Sequence, residues 1–430
     1  MINRREFLAA ATAGVSSAGA LLRADLPPAS ITLRISEINA DLGHGVSMKA
    51  RAYNGQIPGP LLRMTEGDTV TVDVVNDSDL PEVVHWHGFH IPPEVDGAYE
   101  EGTPRVQPKD SRRYSFTAKP AGTRWYHTHA MAGQNTKIGL YSGEFGMVIV
   151  EPRQNPARYD ADVPIVLHDW GAVFRSDMEG DVDYRWFTIN GKMLGSADPI
   201  SVKSGQRVLF RVLNASATMA HQLALPSHEF LVTALDGNAV PNPKSVPVLN
   251  LAPGERVDAM VEMKSPGVWV LGELDDRRRN AGAGIEVEYA GSQGKARWTP
   301  PAEFAWDLNA FGQAAGPAQP AVNIPIVIEP GHDGYLWAIN GKSWPNTDEI
   351  RFNSGMRNRL VFDNRSDMGH PVHLHRHTFE LASGVRKDVL MVPAHTKLEA
   401  DIVADSPGPA LFHCHQQFHM DFGFMALARY

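Results

Sequence analysis

Ten of the 18 histidines lie in four short clusters, and one of these clusters also holds the only cysteine of the chain. Imidazoles and thiolates are common protein ligands of transition metals. Neither solvated histidines nor those buried in a core gather in pairs in this way, so the clusters predict metal sites. They are HWHG with His85 and His87, HTH with His127 and His129, HPVHLH with His370, His373 and His375, and HCHQQFH with His413, Cys414, His415 and His419.

The fourth cluster indicates two metal centres on one strand. In a β-strand, side chains at positions i and i+2 share a face, and the residue between them points the other way. His413 and His415 are therefore expected on one side and Cys414 on the opposite side. A soft thiolate with two imidazoles selects copper in a trigonal electron-transfer site. The eight remaining imidazoles would hold further copper ions where dioxygen could bind.

The other histidines have ordinary explanations. His90 and His377 lie close to the clusters but outside their paired spacing, which favours a surface position or a role in orienting neighbouring imidazoles. We interpret the isolated histidines as structural; they are His44, His168, His221, His228, His332 and His395.

The elements that must position these clusters recur three times along the chain, and such self-similarity decides the architecture. Each unit has an Asn-Gly turn, then a glycine that opens an alternating apolar strand, then a closing strand. This period and punctuation are typical of strands and tight turns. The turns are Asn54-Gly55, Asn190-Gly191 and Asn340-Gly341; the glycines are Gly67, Gly205 and Gly355; the closing segments start at Lys119, Lys264 and Asp405.

We therefore predict an all-β chain of three consecutive antiparallel Greek-key domains of sandwich or barrel type. The expected boundaries are 25–155, 156–300 and 301–430, with a divergent two-domain chain as the alternative. The closing strands of the first and third domains carry the histidine clusters. The corresponding strand of the middle domain, at Leu271-Gly272-Glu273, has no candidate ligand. The middle domain is therefore predicted to hold no copper and to act as a spacer.

Composition argues against several functions. The chain has 40 basic and 49 acidic residues, a formal net charge of −9 and no run of Lys or Arg. Nucleic acids and anionic membranes select concentrated positive charge, so neither is an expected partner. A single cysteine cannot form an intrachain disulfide. No segment approaches the roughly 18 apolar residues that a membrane span requires.

The first residues have the order of an export signal. Arg4-Arg5 precede Phe7-Leu8 and a stretch of small apolar residues that ends in Ala18-Gly19-Ala20. This order resembles a twin-arginine signal peptide over residues 1–24, read by the twin-arginine export machinery. The alternative is a short hydrophobic start to the first domain. An exported protein would be periplasmic or otherwise extracytoplasmic.

All four clusters occur in order, and in this respect the chain resembles the multicopper oxidases, in particular laccase-like three-domain bacterial members. The resemblance implies cupredoxin-like domains and four copper ions per monomer, with the type 2 ion and the type 3 pair between the first and third domains. It implies these ligands: Cys414, His370 and His419 for type 1; His85 and His373 for type 2; His87, His127, His129, His375, His413 and His415 for the type 3 pair.

The resemblance also implies the reaction. A donor would give single electrons to the type 1 copper, and these would pass through Cys414 and its two neighbours until four of them reduce dioxygen to two waters. We expect an imidazole edge of His370 or His419 to reach the surface and admit electrons. Because one chain supplies every ligand, we expect a monomer.

The donor is less constrained by the sequence. The 15 methionines are scattered and the connection from Glu380 to Asp388 is short, which favours an open type 1 edge and a small phenolic or aromatic amine donor. The alternative is a periplasmic oxidase of cuprous or another metal ion that acts in copper tolerance. A copper-free envelope scaffold is disfavoured because every ligand is present, and a two-domain nitrite reductase because there are three units.

Two further residues are singled out beside the ligands. Asp96 follows His85 by eleven residues in a Val-Asp-Gly sequence, and by resemblance it relays protons near the type 2 copper; the alternative is an aspartate that only stabilises a turn. Phe424 stands at the family's axial position, which predicts a three-coordinate type 1 copper and a relatively high reduction potential. Met425 could supply a sulfur instead if the strand bulges.

Overall fold

The computed structural model describes residues 30–154, 158–175, 182–313, 322–332 and 336–430. The predicted signal peptide at 1–24 lies outside the described residues. Within them β-strands are the dominant secondary structure and only three short α-helices occur, so the all-β prediction is confirmed. The strands form three consecutive pairs of sheets, which we call the first, middle and third domains.

The first domain pairs two four-stranded sheets, with strand orders β2-β1-β4-β6 and β3-β8-β7-β5. Helix α1 (Pro93–Asp96) and 3-10 turns at Tyr99–Glu101 and Gly139–Tyr141 complete it. Its strands are β1 (Ile31–Gly43), β2 (Val46–Tyr53), β3 (Leu62–Thr65), β4 (Thr69–Asn76), β5 (Val84–His87), β6 (Ser111–Thr117), β7 (Gly122–Thr128) and β8 (Phe145–Glu151).

The middle domain has a six-stranded sheet, β12-β9-β14-β19-β16-β17, a five-stranded sheet, β13-β21-β20-β15-β18, and the pair β10-β11. Helix α2 is Asp276–Asn280. The strands are β9 (Ala161–Trp170), β10 (Val173–Phe174), β11 (Val182–Asp183), β12 (Trp186–Ile189), β13 (Ile200–Val202), β14 (Arg207–Asn214), β15 (His221–Ala224), β16 (Phe230–Leu235), β17 (Asn238–Val246), β18 (Leu249–Leu251), β19 (Arg256–Glu262), β20 (Val268–Glu273) and β21 (Gly284–Tyr289).

The third domain repeats this plan with sheets β23-β22-β25-β30-β27-β28 and β24-β32-β31-β26-β29. A 3-10 turn at Leu308–Phe311 precedes it, and helix α3 is Gln417–Asp421. The strands are β22 (Val322–Pro330), β23 (Trp337–Ile339), β24 (Ile350–Arg351), β25 (Arg357–Asn364), β26 (His370–Leu374), β27 (Phe379–Glu380), β28 (Arg386–Lys387), β29 (Val389–Val392), β30 (Lys397–Val403), β31 (Ala410–Cys414) and β32 (Met425–Arg429).

The sheets are mixed rather than purely antiparallel as predicted. Each of the two main sheets in every domain contains one parallel strand pair, which joins an earlier strand of that sheet to a strand further along the chain. The parallel pairs are β1 with β4, β3 with β8, β9 with β14, β13 with β21, β22 with β25, and β24 with β32.

The repeated Asn-Gly turn has the same structure in all three domains. Each asparagine has a φ of 52–55° and is followed by a glycine with positive φ, the backbone that a tight hairpin turn requires. In each domain the asparagine amide oxygen also accepts a backbone N–H from the domain's first strand. These bonds join Arg34 N to Asn54 (2.6 Å), Val166 N to Asn190 (2.8 Å) and Val327 N to Asn340 (2.7 Å).

Apolar side chains between the paired sheets form the cores. One continuous cluster runs through the middle and third domains and includes Phe210, Leu271 and Phe412, while Trp86 and Tyr126 lie in a separate core of the first domain. No helix within the described part of the chain is long and apolar enough to cross a membrane.

Candidate metal centre

Four strands, each with at most one residue that directly follows it, carry nine of the ten clustered histidines, and His419 lies in helix α3. Strand β5 lies antiparallel to β7 with His85 opposite His127, and β26 lies antiparallel to β31 with His373 opposite His413. The ten histidines and Cys414 are at most 7% exposed. The structure brings them together in two groups, one of eight histidines between the first and third domains and one around Cys414.

In the eight-histidine group, ring nitrogens from different strands face each other at short range. His375 Nε2 lies 3.1 Å from His413 Nε2, which lies 3.4 Å from His129 Nε2. His127 Nε2 lies 3.4 Å from His87 Nδ1. Since neutral imidazoles gain little from facing one another in this way, the arrangement suggests a cation between them.

Other ring nitrogens of the eight-histidine group have no hydrogen-bond partner among the described residues. His85 Nε2, His373 Nε2 and both ring nitrogens of His415 are buried without a hydrogen bond among the described residues. Each such atom costs about 1–3 kcal/mol if it stays unsatisfied. Burial, followed by the neighbouring imidazoles, lowers the pKa of His87 and His373 well below the usual value, so they are neutral donors. A neutral imidazole is the form that binds a metal ion, and this donor set fits copper.

The opposite ring nitrogen of most of these histidines is anchored, which fixes how each ring points. His375 Nδ1 donates to Asp96 Oδ2 at 2.8 Å, and His85 Nδ1 donates to the Asp96 carbonyl at 3.0 Å. His373 Nδ1 donates to the Asp388 carbonyl at 2.6 Å, and His87 Nε2 donates to Asp388 Oδ1 at 3.0 Å.

The second group is a triangle of donors. His370 Nδ1 lies 3.0 Å from His419 Nδ1, and Cys414 Sγ lies 3.7 Å and 3.5 Å from these two nitrogens. Donors about 2.0–2.3 Å from a central ion lie roughly 3.5 Å apart, so the triangle fits a trigonal metal site. Burial raises the pKa of the Cys414 thiol well above its usual value, and a bound cation favours the thiolate.

One short segment connects the two groups. His413 and His415 contribute to the eight-histidine group, while the Cys414 side chain lies in the core of the third domain with Phe412 and Phe424. Alternating faces of β31 therefore serve the two groups.

Comparison with known proteins agrees with this geometry. Family models described as multicopper oxidase match residues 34–155, 161–280 and 318–429. The chain belongs to the multicopper oxidase family. It is 31% identical to multicopper oxidase MmcO of Mycobacterium tuberculosis, over 90% of this chain and 84% of that protein.

A second relative and a solved structure extend this likeness. Copper resistance protein A of Escherichia coli is 23% identical over 98% of both chains. The crystal structure of a multicopper oxidase from Pseudomonas thermotolerans has a TM-score of 0.76, with 25% identity over 94% of this chain and 100% of that one. The predictions of family and of a fold with three cupredoxin-like domains are confirmed.

In this multicopper oxidase the expected surface exposure of His370 and His419, the histidines predicted for the type 1 copper, is wrong. His370 and His419 are both 0% exposed. The indole of Trp337 packs on both rings, with centroids 4.4 and 4.6 Å away, and is itself only 5% exposed. Neither imidazole edge reaches solvent, because the Trp337 indole of β23 packs on both rings.

The connection from Glu380 to Asp388 also lies elsewhere than expected. It forms the hairpin β27–β28, and Lys387 Nζ binds Asp236 and Glu255 of the middle domain at 3.0 and 3.1 Å. This short hairpin therefore contributes to the interface between the middle and third domains. Its length does not expose His370 or His419 to solvent.

Asp96 has an acidic neighbour that the sequence did not single out. Asp96 ends α1 and is fully buried, and Glu101 Oε1 lies 3.0 Å from the same His375 Nδ1 that Asp96 binds. Burial, and after it Asp96, raises the pKa of Glu101 well above its usual value. The run of acidic residues after Asp96 was the available signal, but nothing in it distinguishes Glu101 from Glu100.

The remaining predicted positions are also placed. His90 Nε2 lies 3.2 Å from Thr378 Oγ1 and His377 Nδ1 lies 2.8 Å from the His375 carbonyl, so neither belongs to the donor groups. Phe424 shares the core that contains Cys414. Met425 pairs with His413 and packs in a separate cluster, away from the thiol.

Proposed function

We propose that this multicopper oxidase is laccase-like and couples one-electron oxidation of phenolic or aromatic amine donors to four-electron reduction of dioxygen to water. The observation that carries the proposal is the pair of donor groups joined through Cys414, since electron transfer and dioxygen reduction need separate but connected centres. We propose that the protein works as a monomer, because one chain holds both groups.

The proposed ligands follow the two groups. His370, Cys414 and His419 hold one copper, His85 and His373 hold a second, and a pair is held by His87, His127 and His415 on one side and His129, His375 and His413 on the other. When bound, the copper ions supply one-electron redox chemistry and a place for dioxygen to bind.

The protein supplies the electron path. Cys414 and its peptide neighbours His413 and His415 form an unbroken covalent route between the groups. Every side chain on this route is buried. Electron transfer between the two groups therefore takes place inside the protein.

Asp96 is the proposed proton relay. Its Oδ1 is buried without a hydrogen-bond partner among the described residues, so the carboxyl can pass a proton while Oδ2 holds His375. Asp96→Asn should lower oxygen uptake by about 10²–10⁴-fold, the usual contribution of a positioned acid–base group. Glu144→Gln is a matched control, because Glu144 is equally buried and makes no side-chain hydrogen bond among the described residues. Full turnover of Asp96→Asn across the pH range would contradict the relay.

The proposed donor site is a cleft of about 430 Å³ between α2 and β10. Val173, Tyr184, Phe187 and Met219 give it apolar surface, and the charged residues Asp183, Arg185, Arg277 and Arg278 also line it. Tyr184 also packs in the cluster that contains Phe418, the residue before His419. In this proposal the aromatic ring of the donor packs on the apolar side chains and its polar substituent faces the charged ones.

Oxidation of cuprous ion remains the second candidate, since one observation favours it. A Cβ added to Gly369 would lie 3.0 Å from Met391 Sδ, which places a soft thioether beside the residue that precedes His370. The copper resistance relative is consistent with this candidate.

Oxygen uptake by the copper-loaded protein separates the two. With a phenol as donor, Tyr184→Ala should raise KM severalfold and Met391→Leu should leave it unchanged. With a cuprous complex as donor, the reverse pattern would support the metal-ion oxidase. Copper-loaded protein without visible thiolate absorption or oxygen uptake would contradict both.

The export proposal rests on the N-terminal sequence alone. Replacing Arg4 and Arg5 by lysine should leave the protein in the cytoplasm, whereas the unaltered chain should be found in the periplasm. Cell fractionation with an antibody measures both.

A further inference from the structure

Arg256 begins β19 in the middle domain, and its side chain is fully buried. All five of its side-chain N–H groups have acceptors. Nε donates to the Thr123 carbonyl (3.3 Å), Nη1 to the Gly254 carbonyl (2.9 Å) and Asp388 Oδ1 (2.6 Å), and Nη2 to the Asp236 carbonyl (3.2 Å) and Asp388 Oδ2 (2.5 Å). Thr123 belongs to the first domain and Asp388 to the third, so one guanidinium joins all three domains.

Asp388 in turn orients two of the proposed ligands. Its carboxylate accepts from His87 Nε2 and its carbonyl from His373 Nδ1. The other nitrogen of His87 faces His127, and the other nitrogen of His373 has no hydrogen-bond partner among the described residues. The direction in which both rings present their free nitrogen therefore depends on where Asp388 is held.

The middle domain holds Asp388 on both sides. The backbone N–H groups of Asp388 and Val389 donate to Asp236 Oδ2 at 3.2 and 3.1 Å, and Arg256 grips the carboxylate with two parallel hydrogen bonds. A bidentate Arg–carboxylate pair fixes the plane of the carboxylate as well as its position. Lysine cannot make this fork, because it carries a single ammonium group.

We propose that Arg256 is a positioning residue for the eight-histidine centre, and that it acts through Asp388 on His87 and His373. The inference rests on the proposed function, because it assumes that these histidines hold copper. It gives the middle domain a part in the metal site in place of the spacer role predicted from the sequence.

The test uses the copper-loaded full chain with Arg256→Lys. We expect copper at the eight-histidine centre to be held about 10–100-fold more weakly in chelator competition, the usual effect of losing a partner of a ligand. The EPR signal of the copper held by His85 and His373 should change its hyperfine splitting. The visible absorption of thiolate-bound copper should stay as in the unaltered protein, since the hydrogen-bond partners of Cys414 Sγ are His370 and His419 and neither is bonded to Asp388.

Arg211→Lys is the matched control. Arg211 is 7% exposed, lies on the neighbouring strand β14, and also reaches the first domain through Thr123. Its carboxylate partners are Asp162 and Asp258, neither of which binds a clustered histidine. We expect normal copper retention and an unchanged EPR signal for this variant.

Three results would overturn the inference: Arg256→Lys behaves like the unaltered protein, both lysine variants lose copper equally, or the thiolate absorption is lost along with the eight-histidine copper. If Arg256→Lys does not fold, Arg256→Gln and Asp388→Asn, singly and together, decide the matter. The two changes should not add, with the second weakening copper by less than about twofold once the first is present; additive losses would contradict the inference. Unaltered protein that binds no copper at the eight histidines would instead contradict the proposed function.

Discussion

The middle and third domains each place a histidine at the same point of their five-stranded sheet, but the partners of the two histidines differ. His221 begins β15 and His370 begins β26. In each domain the residue two positions after the histidine pairs with the neighbouring strand, at Glu273 in the middle domain and at Cys414 in the third. Glu273 therefore occupies the strand position of the thiol.

The partners favour a protonated ring at His221 and a neutral ring at His370. His221 Nδ1 lies 2.8 Å from Glu273 Oε2 and its Nε2 lies 3.2 Å from Asp169. Burial alone would lower the pKa of His221, but Asp169 and Glu273 outweigh it and raise that pKa to about 10. Burial, together with His419, lowers the pKa of His370 well below its usual value.

The fold thus fixes where the histidine lies, and the side chains next to its ring determine whether the ring can bind a metal. Two carboxylates occupy both ring nitrogens of His221, so this ring has no free donor for a metal. The thiol and second imidazole beside His370 leave a triangle of donors instead. The same cupredoxin-like framework thus holds a buried ion cluster in one domain and a candidate copper site in the next.

Cys414→Ser should have the largest effect, because it removes the side chain that distinguishes the third domain from the middle one at this position. A hydroxyl is a hard, weakly acidic donor and cannot replace the thiolate of a trigonal copper site. We expect complete loss of the visible charge-transfer band and oxygen uptake at the rate without enzyme. Elemental analysis should find about one copper fewer per chain, since the eight-histidine group is untouched. Retained blue colour would contradict the assignment of Cys414.

His221→Gln should destabilise the protein without affecting copper. Removing one member of a buried ion cluster leaves carboxylates without a counter-charge and typically costs about 3–5 kcal/mol. Urea unfolding of the copper-loaded protein measures this loss. His395→Gln is the control, because His395 pairs with Asp367 at an exposed site and should cost less than about 1 kcal/mol. Loss of copper from His221→Gln would mean that the two sites are not independent.

The stability difference between His221→Gln and the unaltered protein should depend on pH in a defined direction. The folded-state pKa of His221, about 10, lies above the unfolded value near 6.5. The contribution of His221 is therefore complete below about pH 6.5 and is lost as pH rises towards 10. The difference in urea midpoint should narrow over that range. A difference that widened with pH would show that His221 is neutral in the folded protein.

The architecture was predictable because three copies of one pattern are in the sequence. The Asn-Gly turns, alternating strands and closing segments each depend on neighbouring residues. The two-residue period of a strand predicted that Cys414 faces away from His413 and His415. The family followed from the spacing of the four clusters. The sequence predicted which residues form the two donor groups, but not the distances between their nitrogen and sulfur atoms.

Contacts between domains could not be predicted in this way. Arg256 and Asp388 are separated by 132 positions, and Asp96 and His375 by 279. No local pattern marks such pairs, since they depend on how whole sheets pack. The same limit explains why His370 and His419 were expected at the surface, for Trp337 that covers them comes from a different sheet.

Phe424→Met should give the smallest effect. It tests one position at which the third and middle domains differ. Cys414 N donates to the Phe424 carbonyl as Glu273 N donates to that of Ala283, so a phenyl ring in the third domain replaces a methyl group in the middle one. The ring lies 5.0 Å from that of His370. A thioether there would bind the oxidised copper weakly and lower the reduction potential, as a redox titration of the visible band can measure.

Phe412→Met is the control for this change, because Phe412 lies in the same core and its ring is 6.4 Å from that of Phe424. It should leave the potential nearly unchanged. If Phe424→Met shifts the potential no more than Phe412→Met does, the axial position is already filled, and Met425 would have to turn from its pairing with His413 to fill it. The benzyl side chain at residue 424 would then shield the site from water without setting its potential.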